Sequence, residues 1–319
     1  MKFKPIIIVG GEPNSVFLEI LIKCLKLRRF KSPILLIISL KVFKLQLKKL
    51  NLRYNYRVIK YQNFQQTDLD FDKINILDIE YKANKAFEKI SSSTNKYIED
   101  CFNSALKIIK SGLTNKFING PISKKYFLKN KFLGITEYLA KKTNTDNFAM
   151  LIYNKKCSVA PITTHLPLKL VSKNITKNLI IKKILLLNGF YQNYLNINPK
   201  IAITGLNPHC ESIDAYNEDK KIIKPAVKYL KKKINITGPL PADTVFLNNN
   251  RKKYDLIVGM YHDQVLTPMK TIFEYDAINI TVGLPFIRIS PDHGPNESMM
   301  GKNLSNPKSL FEAIKFLDK

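Results

Sequence analysis

Short runs of aliphatic residues alternate with longer amphipathic stretches along most of this chain, and that alternation narrows its fold more than any other feature. PIIIVGG (5–11) reads as a buried strand, and residues 14–30 as the helix that follows it. SPILLIIS (32–39) is a second strand. Residues 91–112 open on hydroxyl cap candidates and end at Gly112, a well-bounded helix, and KFINGP (116–121) is a short strand and turn. FAMLIYN (148–154) and CSVAPITTH (157–165) read as a strand pair, followed by a helix around 176–189. Strands are expected at 200–209, 234–239, 254–262 and 276–285, and helices at 218–233 and 306–319. Pro225 should kink the first of these helices or sit near its first turn. Strands alternating with helices imply an α/β fold with a largely parallel sheet. Residues 51–90 carry no clear pattern, and 41–75, rich in Lys, Asn and Gln, reads as a surface excursion.

The 319 residues suffice for two domains. A formal charge of +27 would suit a nucleic-acid or membrane-surface protein, but only six of the 52 basic residues are Arg. Readers of bases and phosphates lean on the forked guanidinium. The lysines are scattered, often in pairs on helix outer faces, as drift towards Lys, Asn and Ile would give. Neither nucleic acid nor membrane is an expected partner. Cys24, Cys101, Cys157 and Cys210 are far apart with no C-x-x-C spacing, which argues for reduced thiols and a cytoplasmic protein. Ile6–Val9 is too short for a secretory h-region, and Ile34–Leu40 too short to span a bilayer.

Three of the four histidines share one local setting. His165 ends VAPITTH, His209 ends IAITGLNPH and His262 ends LIVGMYH, each a few residues after an apolar run. In α/β sheets ligands gather outside the carboxyl ends of the strands. Three imidazoles arriving there suit a divalent metal with an open position for substrate. Lys270, Asn279 and Arg288 recur at intervals of nine, and a strand with its two flanking loops would bring them together. Two cations and an amide suit a phosphate. Asp243 in PLPADT and Asp263 in YHDQ are acid/base candidates. Asp263 can also orient its neighbouring histidine, and either can instead cap a helix.

At these residues a family resemblance becomes specific. GPISK, TEYLA, TTHLPL, GLNPH, GPLPADTVF, YDLIVGMYHDQVL and INITVGLPFIR, with DHG after it, stand in the order found in 4-hydroxythreonine-4-phosphate dehydrogenases of vitamin B6 biosynthesis. The resemblance is strong from about 120 onward and weak before it. It implies two three-layer α/β/α domains like those of isocitrate and isopropylmalate dehydrogenases, with the active site in the cleft between them, and a homodimer. The expected domains are 1–120 with 240–319, carrying the cofactor loop, and 121–239, carrying dimer contacts. His165, His209 and His262 would bind the metal (zinc, magnesium, manganese or cobalt), and Thr136, Lys270, Asn279 and Arg288 the phosphorylated substrate. His293, Gly294, Gly301 and Asn306 are similar in spacing to the adenosine-side NAD loop of isopropylmalate dehydrogenases.

The implied reaction oxidises the secondary alcohol of 4-phosphooxy-L-threonine with NAD. The β-keto acid then loses CO2 to give 3-amino-2-oxopropyl phosphate. A divalent ion would favour ionisation of the alcohol and polarise the ketone, while phosphate contacts hold the reacting carbon near the cofactor. Two departures bear on this. The Gly-rich P-A-G-I-G-P-E of the family is here Pro13 to Glu19, PNSVFLE, so a tight backbone approach there is not expected. Ile135 stands where the family has a substrate-contacting histidine, and Ser298 where an Asp is usual. The rival readings are a dehydrogenase of phosphorylated threonate or erythronate, and a degenerate non-catalytic ligand-binding paralogue.

Overall fold

The computed structural model describes residues 3–60, 68–128, 131–213, 216–274, 276–291 and 294–319. In chain order its elements begin with β1 (Ile6–Val9), α1 (Phe17–Leu27), β2 (Ile34–Ile38), α2 (Leu40–Lys49), β3 (Tyr56–Ile59) and β4 (Ile74–Asp78). Then come α3 (Asn95–Lys110), β5 (Lys116–Asn119), α4 (Ile135–Lys142), β6 (Ala149–Tyr153), β7 (Ser158–Pro161), α5 (Val171–Asn174) and α6 (Lys177–Phe190). They are followed by β8 (Ile201–Thr204), α7 (Lys224–Leu230), β9 (Ile236–Leu240), α8 (Ala242–Val245) and α9 (Asn248–Arg251). The last are β10 (Leu256–Gly259), α10 (His262–Phe273), β11 (Ile278–Val282), β12 (Ile287–Ser290) and α11 (Lys308–Leu317). The fold is mixed α/β with mostly parallel strands, as the alternation of apolar runs and amphipathic stretches requires. No helix among the described residues is long and apolar enough to cross a membrane.

The chain divides into two compact units, Met1–Leu139 with Pro285–Lys319, and Ala140–Leu284. In the first, the strand order is β3-β4-β2-β1-β5-β12, and every pairing is parallel. Ile6, Ile7, Ile8 and Val9 of β1 are wholly buried, so the central strand is an unbroken apolar run. In α3 the buried residues Tyr97, Ile98, Cys101, Phe102, Ala105 and Ile108 form a helical stripe. Ser91 opens the turn before it by accepting from the Ser93 amide.

In the second unit the order is β11-β6-β7-β10-β8-β9. The β11–β6 and β6–β7 pairs are antiparallel; β7–β10, β10–β8 and β8–β9 are parallel. Helix α10 packs on β7 and β10. It buries Val265, Leu266 and Met269 in a cluster with Val159, Ala202 and Ile257. Pro225 lies in the first turn of α7, after a short wider turn over Asp219–Ile223, so the proline starts a helix there.

Two expectations change. The described part of segment 41–75 is no excursion, because it supplies α2, β3 and the start of β4, with β3 and β4 forming one edge of the first sheet; residues 61–67 lie outside the described residues. Its periodicity was concealed because the buried stripe of α2, Val42, Phe43, Gln46 and Leu47, includes an amide that donates to the Pro13 carbonyl at 2.5 Å. The compact units are also divided at other residues than the expected borders at 120 and 240. Strands β10 and β11 pair with β7, β8 and β6, which keeps 240–284 in the second unit, and residues 121–139 stay with the first.

Candidate active site

The three histidine-bearing turns follow β7, β8 and β10, and β10 lies between the other two in a parallel ladder. All three strands therefore end at the same edge of the second unit's sheet. His262 is the first residue of α10, and its Nδ1 is 2.7 Å from Asp263 Oδ1. That pairing engages Nδ1 and leaves Nε2 as the nitrogen available to a ligand, with the carboxylate fixing the tautomer. The His165 and His262 ring centroids are 5.8 Å apart with planes inclined by 37°. A metal–nitrogen bond of about 2.1 Å puts a ring centroid about 3 Å from the ion, so one cation fits between the two rings.

His209 differs. It sits in the short turn Pro208–Cys210, and both His209 (φ 54°) and Cys210 (φ 61°) are left-handed. Two such consecutive non-glycine residues cost of order 1 kcal/mol each and persist only where the surroundings enforce them. Among the described residues no three His, Cys, Asp or Glu side chains close on one point. The expected three-histidine cluster is thus present as a pair, with the third histidine on the neighbouring strand exit. The donor chemistry fits a divalent ion, and the structure brings two of the three expected ligands, His165 and His262, together.

Asp263 orients His262 and is largely exposed. Asp243 is exposed in the first turn of α8; burial and then the Asp219 charge raise the pKa of the Cys210 thiol, and Asp243 adds a smaller push in the same direction. Lys270, Asn279 and Arg288 do not stand on one strand and two loops. Lys270 is in the last turn of α10, Asn279 in β11 and Arg288 in β12, the first two in the second unit and Arg288 in the first. Lys270 is half-buried, and burial lowers its pKa. Asn279 Oδ1 is buried with no hydrogen-bond partner among the described residues, an acceptor open to a ligand donor.

Arg288 is 1% exposed. Its Nε donates to Asn119 Oδ1 at 2.7 Å and its Nη1 to Thr136 Oγ1 at 3.2 Å. Burial pulls its pKa down to about 9, with the nearby Glu137 charge acting the other way. A buried guanidinium needs hydrogen bonds and a counter-charge to offset its desolvation, and Glu137 is one such charge beside Asn119 and Thr136. Asn119 was not among the sequence candidates; its one signal was its place at a strand end before Gly-Pro. In the loop expected to take the cofactor, Gly301 has φ 74°, and a Cβ added to it would meet the edge of the Phe87 ring at 3.3 Å. Asn306 accepts from the Lys308 amide in the first turn of α11. A Cβ added to Gly294 would meet nothing within 4 Å, and His293 lies outside the described residues. Lys23 reaches the same loop, donating to the carbonyls of Asn303 and Ser305 while paired with Glu19.

The stretch that lacks the family glycines forms an ordinary turn without positive φ. Ser15 Oγ donates to the Glu12 carbonyl at 2.8 Å and accepts from the Phe17 amide, starting α1. Glu12 itself is buried, and burial raises its carboxyl to about 7. Its Oε1 lies 3.1 Å from the Asn14 amide and its Oε2 3.0 Å from Thr94 Oγ1, which is also 3.0 Å from the Ser91 carbonyl. Thr94 has one proton; when it goes to Ser91, a protonated Glu12 donates to Thr94.

This gives a pH-dependent expectation. The folded protein holds the Glu12 proton more tightly than the unfolded chain, whose value is about 4.5. Its stabilising effect is therefore full below about 4.5 and is lost as pH rises towards about 7, where the loss levels off. Glu12→Gln keeps a donor for Thr94 and cannot ionise. Its melting temperature should equal wild type at pH ~5 and exceed it at pH ~8, by about 1–3 kcal/mol in stability. Equal melting differences at both pH values would remove the argument.

Comparison with known proteins gives the class first. A 1.25 Å crystal structure of a 4-hydroxythreonine-4-phosphate dehydrogenase from Klebsiella pneumoniae matches with TM-score 0.85 and 27% identity, covering 98% of each chain. In sequence, the chain is 38% identical to a 4-hydroxythreonine-4-phosphate dehydrogenase from a Sulfurihydrogenibium species, over 95% of this chain and 94% of that one. It is 31% identical to a D-threonate 4-phosphate dehydrogenase from Pectobacterium atrosepticum, over 76% of each. These neighbours make it an oxidoreductase of the dehydrogenase type. Residues 30–317 match the family of the pyridoxal phosphate biosynthetic protein PdxA, and the chain belongs to that family.

Proposed function

We propose that this chain is a metal-dependent, NAD-linked dehydrogenase that converts 4-phosphooxy-L-threonine to 3-amino-2-oxopropyl phosphate. The observation that carries the reading is the His165–His262 pair, with Asp263 on the second ring, at the strand exits of a PdxA-family fold. The 38% identity to a relative of that name over almost the whole length supports the substrate.

In this reading His165, His262 and His209 would hold a divalent ion, which would supply Lewis acidity at the reacting oxygen. Asp263 keeps the His262 imidazole in the tautomer that leaves Nε2 free. Lys270 and Arg288 carry the positive charge for the phosphate, and Thr136 and Asn119 hold the guanidinium in place. Asn279 Oδ1 accepts from the substrate's ammonium or hydroxyl. The loop through Gly294, Gly301 and Asn306 takes the adenosine side of NAD. NAD held there would take the carbinol hydrogen as hydride, and exposed Asp263 or Asp243 would be the first acceptor of the hydroxyl proton on its way to solvent. The bond to the carboxylate then breaks, CO2 departs, and a proton from solvent returns to the carbon. We also propose that the enzyme works as a homodimer.

A second reading is favoured by one observation: half-buried Ile135, beside the Thr136 that binds Arg288, offers neither donor nor charge. D-threonate 4-phosphate, with a hydroxyl in place of the amine, is then the alternative substrate. The test is absorbance at 340 nm with each substrate, NAD and divalent metal. The expected result is kcat/KM at least ~10-fold higher for the phosphothreonine, the size of discrimination that one polar contact provides. The reverse order establishes the threonate reading. Failure of both substrates at saturating NAD and metal leaves the degenerate binding paralogue.

A further inference from the structure

Glycines stand at the ends of two of the histidine-bearing strands, and a polar side chain sits against each, half-buried Gln264 at one and buried Asp219 at the other. At Gly259, the last residue of β10, a Cβ would meet Gln264 Oε1 at 3.0 Å as well as the Val265 side chain. At Gly205, after β8, it would meet Cys210 Sγ at 2.7 Å and Asp219 Oδ1. Asp219 is fully buried and holds the turn that leads to His209, accepting from the amides of Leu206 at 2.8 Å and Asn207 at 3.1 Å.

Gln264 spans both turns. Its Oε1 accepts from the Met260 amide at 2.7 Å, two residues before His262. The same oxygen accepts from Thr204 Oγ1, the last residue of β8, at 2.9 Å. Its Nε2 donates to the Gly205 carbonyl at 2.7 Å, on the approach to His209. Gln264 lies in the first turn of α10, and reaching back to an amide ahead of the helix is a capping geometry. A cap alone would use only the oxygen. Here the nitrogen binds the other histidine's turn as well, so one side chain fixes the spacing of the two strand exits.

We propose that Gln264 is a positioning residue for the metal site, setting the separation between the His262 and His209 turns. The inference rests on the metal reading above. The left-handed pair His209–Cys210 is sensitive to this spacing, because its conformation survives only where the turn before it is held. Asp219 grips that turn from one side and Gln264 ties it to β10 from the other. Groups that orient metal ligands through hydrogen bonds typically change affinity 10–100-fold when altered.

Gln264→Glu is the discriminating variant. It keeps both acceptor bonds, so the His262 turn stays pinned, but it loses the donor and sets an anion against the Gly205 carbonyl. Thr204→Val, which removes one bond to Gln264, is the second variant should the first fold poorly. The experiment titrates metal-stripped full-length protein with Co2+ against a competing chelator and records the visible spectrum, with no substrate or NAD present. Wild type is expected to bind one Co2+ per chain. Gln264→Glu should bind 10–100-fold more weakly with a changed spectrum, and Thr204→Val should fall between them. The His165→Ala/His262→Ala double variant should lose the site. Affinity and spectrum unchanged in Gln264→Glu, while the double variant loses binding, overturn the positioning role and keep the metal reading. Wild type binding no better than the double variant overturns both. A purely structural glutamine would lower the melting temperature and leave the affinity of the folded protein as it was.

Discussion

His262→Ala should lower NAD-linked turnover of the phosphothreonine by at least ~10³-fold, since a catalytic ion contributes several kcal/mol at the developing charge. Stability should barely change. The imidazole is one-third exposed at the first position of α10, and its side chain bonds to exposed Asp263. Surface substitutions of that kind alter stability by about 0.5 kcal/mol or less. The two effects therefore separate, and a thermal melt beside a 340 nm assay reads both. Activity above a tenth of wild type, in a variant that folds normally, would show that His262 does not hold the ion. Asp263→Asn should fall between, losing the factor of 10–100 that an orienting carboxylate supplies.

Gly120→Ala is the converse case, a large loss of stability with no chemistry involved. The exits of β1 and β5 pass so closely that a Cβ on Gly120 would collide with the Gly10 carbonyl oxygen, and would stand 2.9 Å from Gly10 C and from Phe17 Cγ. Gly11, at φ 73°, faces the Gly120–Pro121 carbonyls in the same way. Backbone cannot rotate aside as a side chain can, and the Gly120 amide is tied to the Val9 carbonyl at 2.7 Å. The cost of such overpacking is about 3 kcal/mol or more, a fall of roughly 6–12 °C in melting temperature for a unit of this size. Gly189→Ala is the internal control. That glycine lies in α6, and a Cβ added to it would have nothing within 4 Å, so alanine should stabilise by ~0.5–1 kcal/mol. Equal melting temperatures for Gly120→Ala and wild type would mean that the two strand exits stand further apart than these contacts require.

Legibility in the sequence followed the kind of interaction. Strands such as Ile6–Val9 and Leu256–Gly259 were readable because burial on both faces demands an apolar run, which local composition records. Helix α3 was readable from the hydroxyl residues that precede it, where Ser91 opens the turn leading into it, and from Gly112 just past its end. Helix α2 was not, because Gln46 interrupts the stripe and is satisfied by the carbonyl of Pro13, far away in sequence. Helix α10 was missed for a related reason. It starts directly at His262 and carries Pro268, so the segment resembled a loop.

By itself, the sequence determined that this is an α/β chain of alternating buried strands and amphipathic helices, and that three of its histidines follow strands. Those properties live in composition and short spacing. Only the tertiary structure decided that β10 lies between β7 and β8, so that those histidines leave one sheet edge. It alone decided that His165 and His262 meet while His209 stands on a strained turn, and that Arg288 is buried between Asn119 and Thr136. Strand order and side-chain hydrogen bonds join residues that are distant along the chain. Which of the many possible partners is chosen depends on the packing of the whole domain, and local residue types carry no record of it.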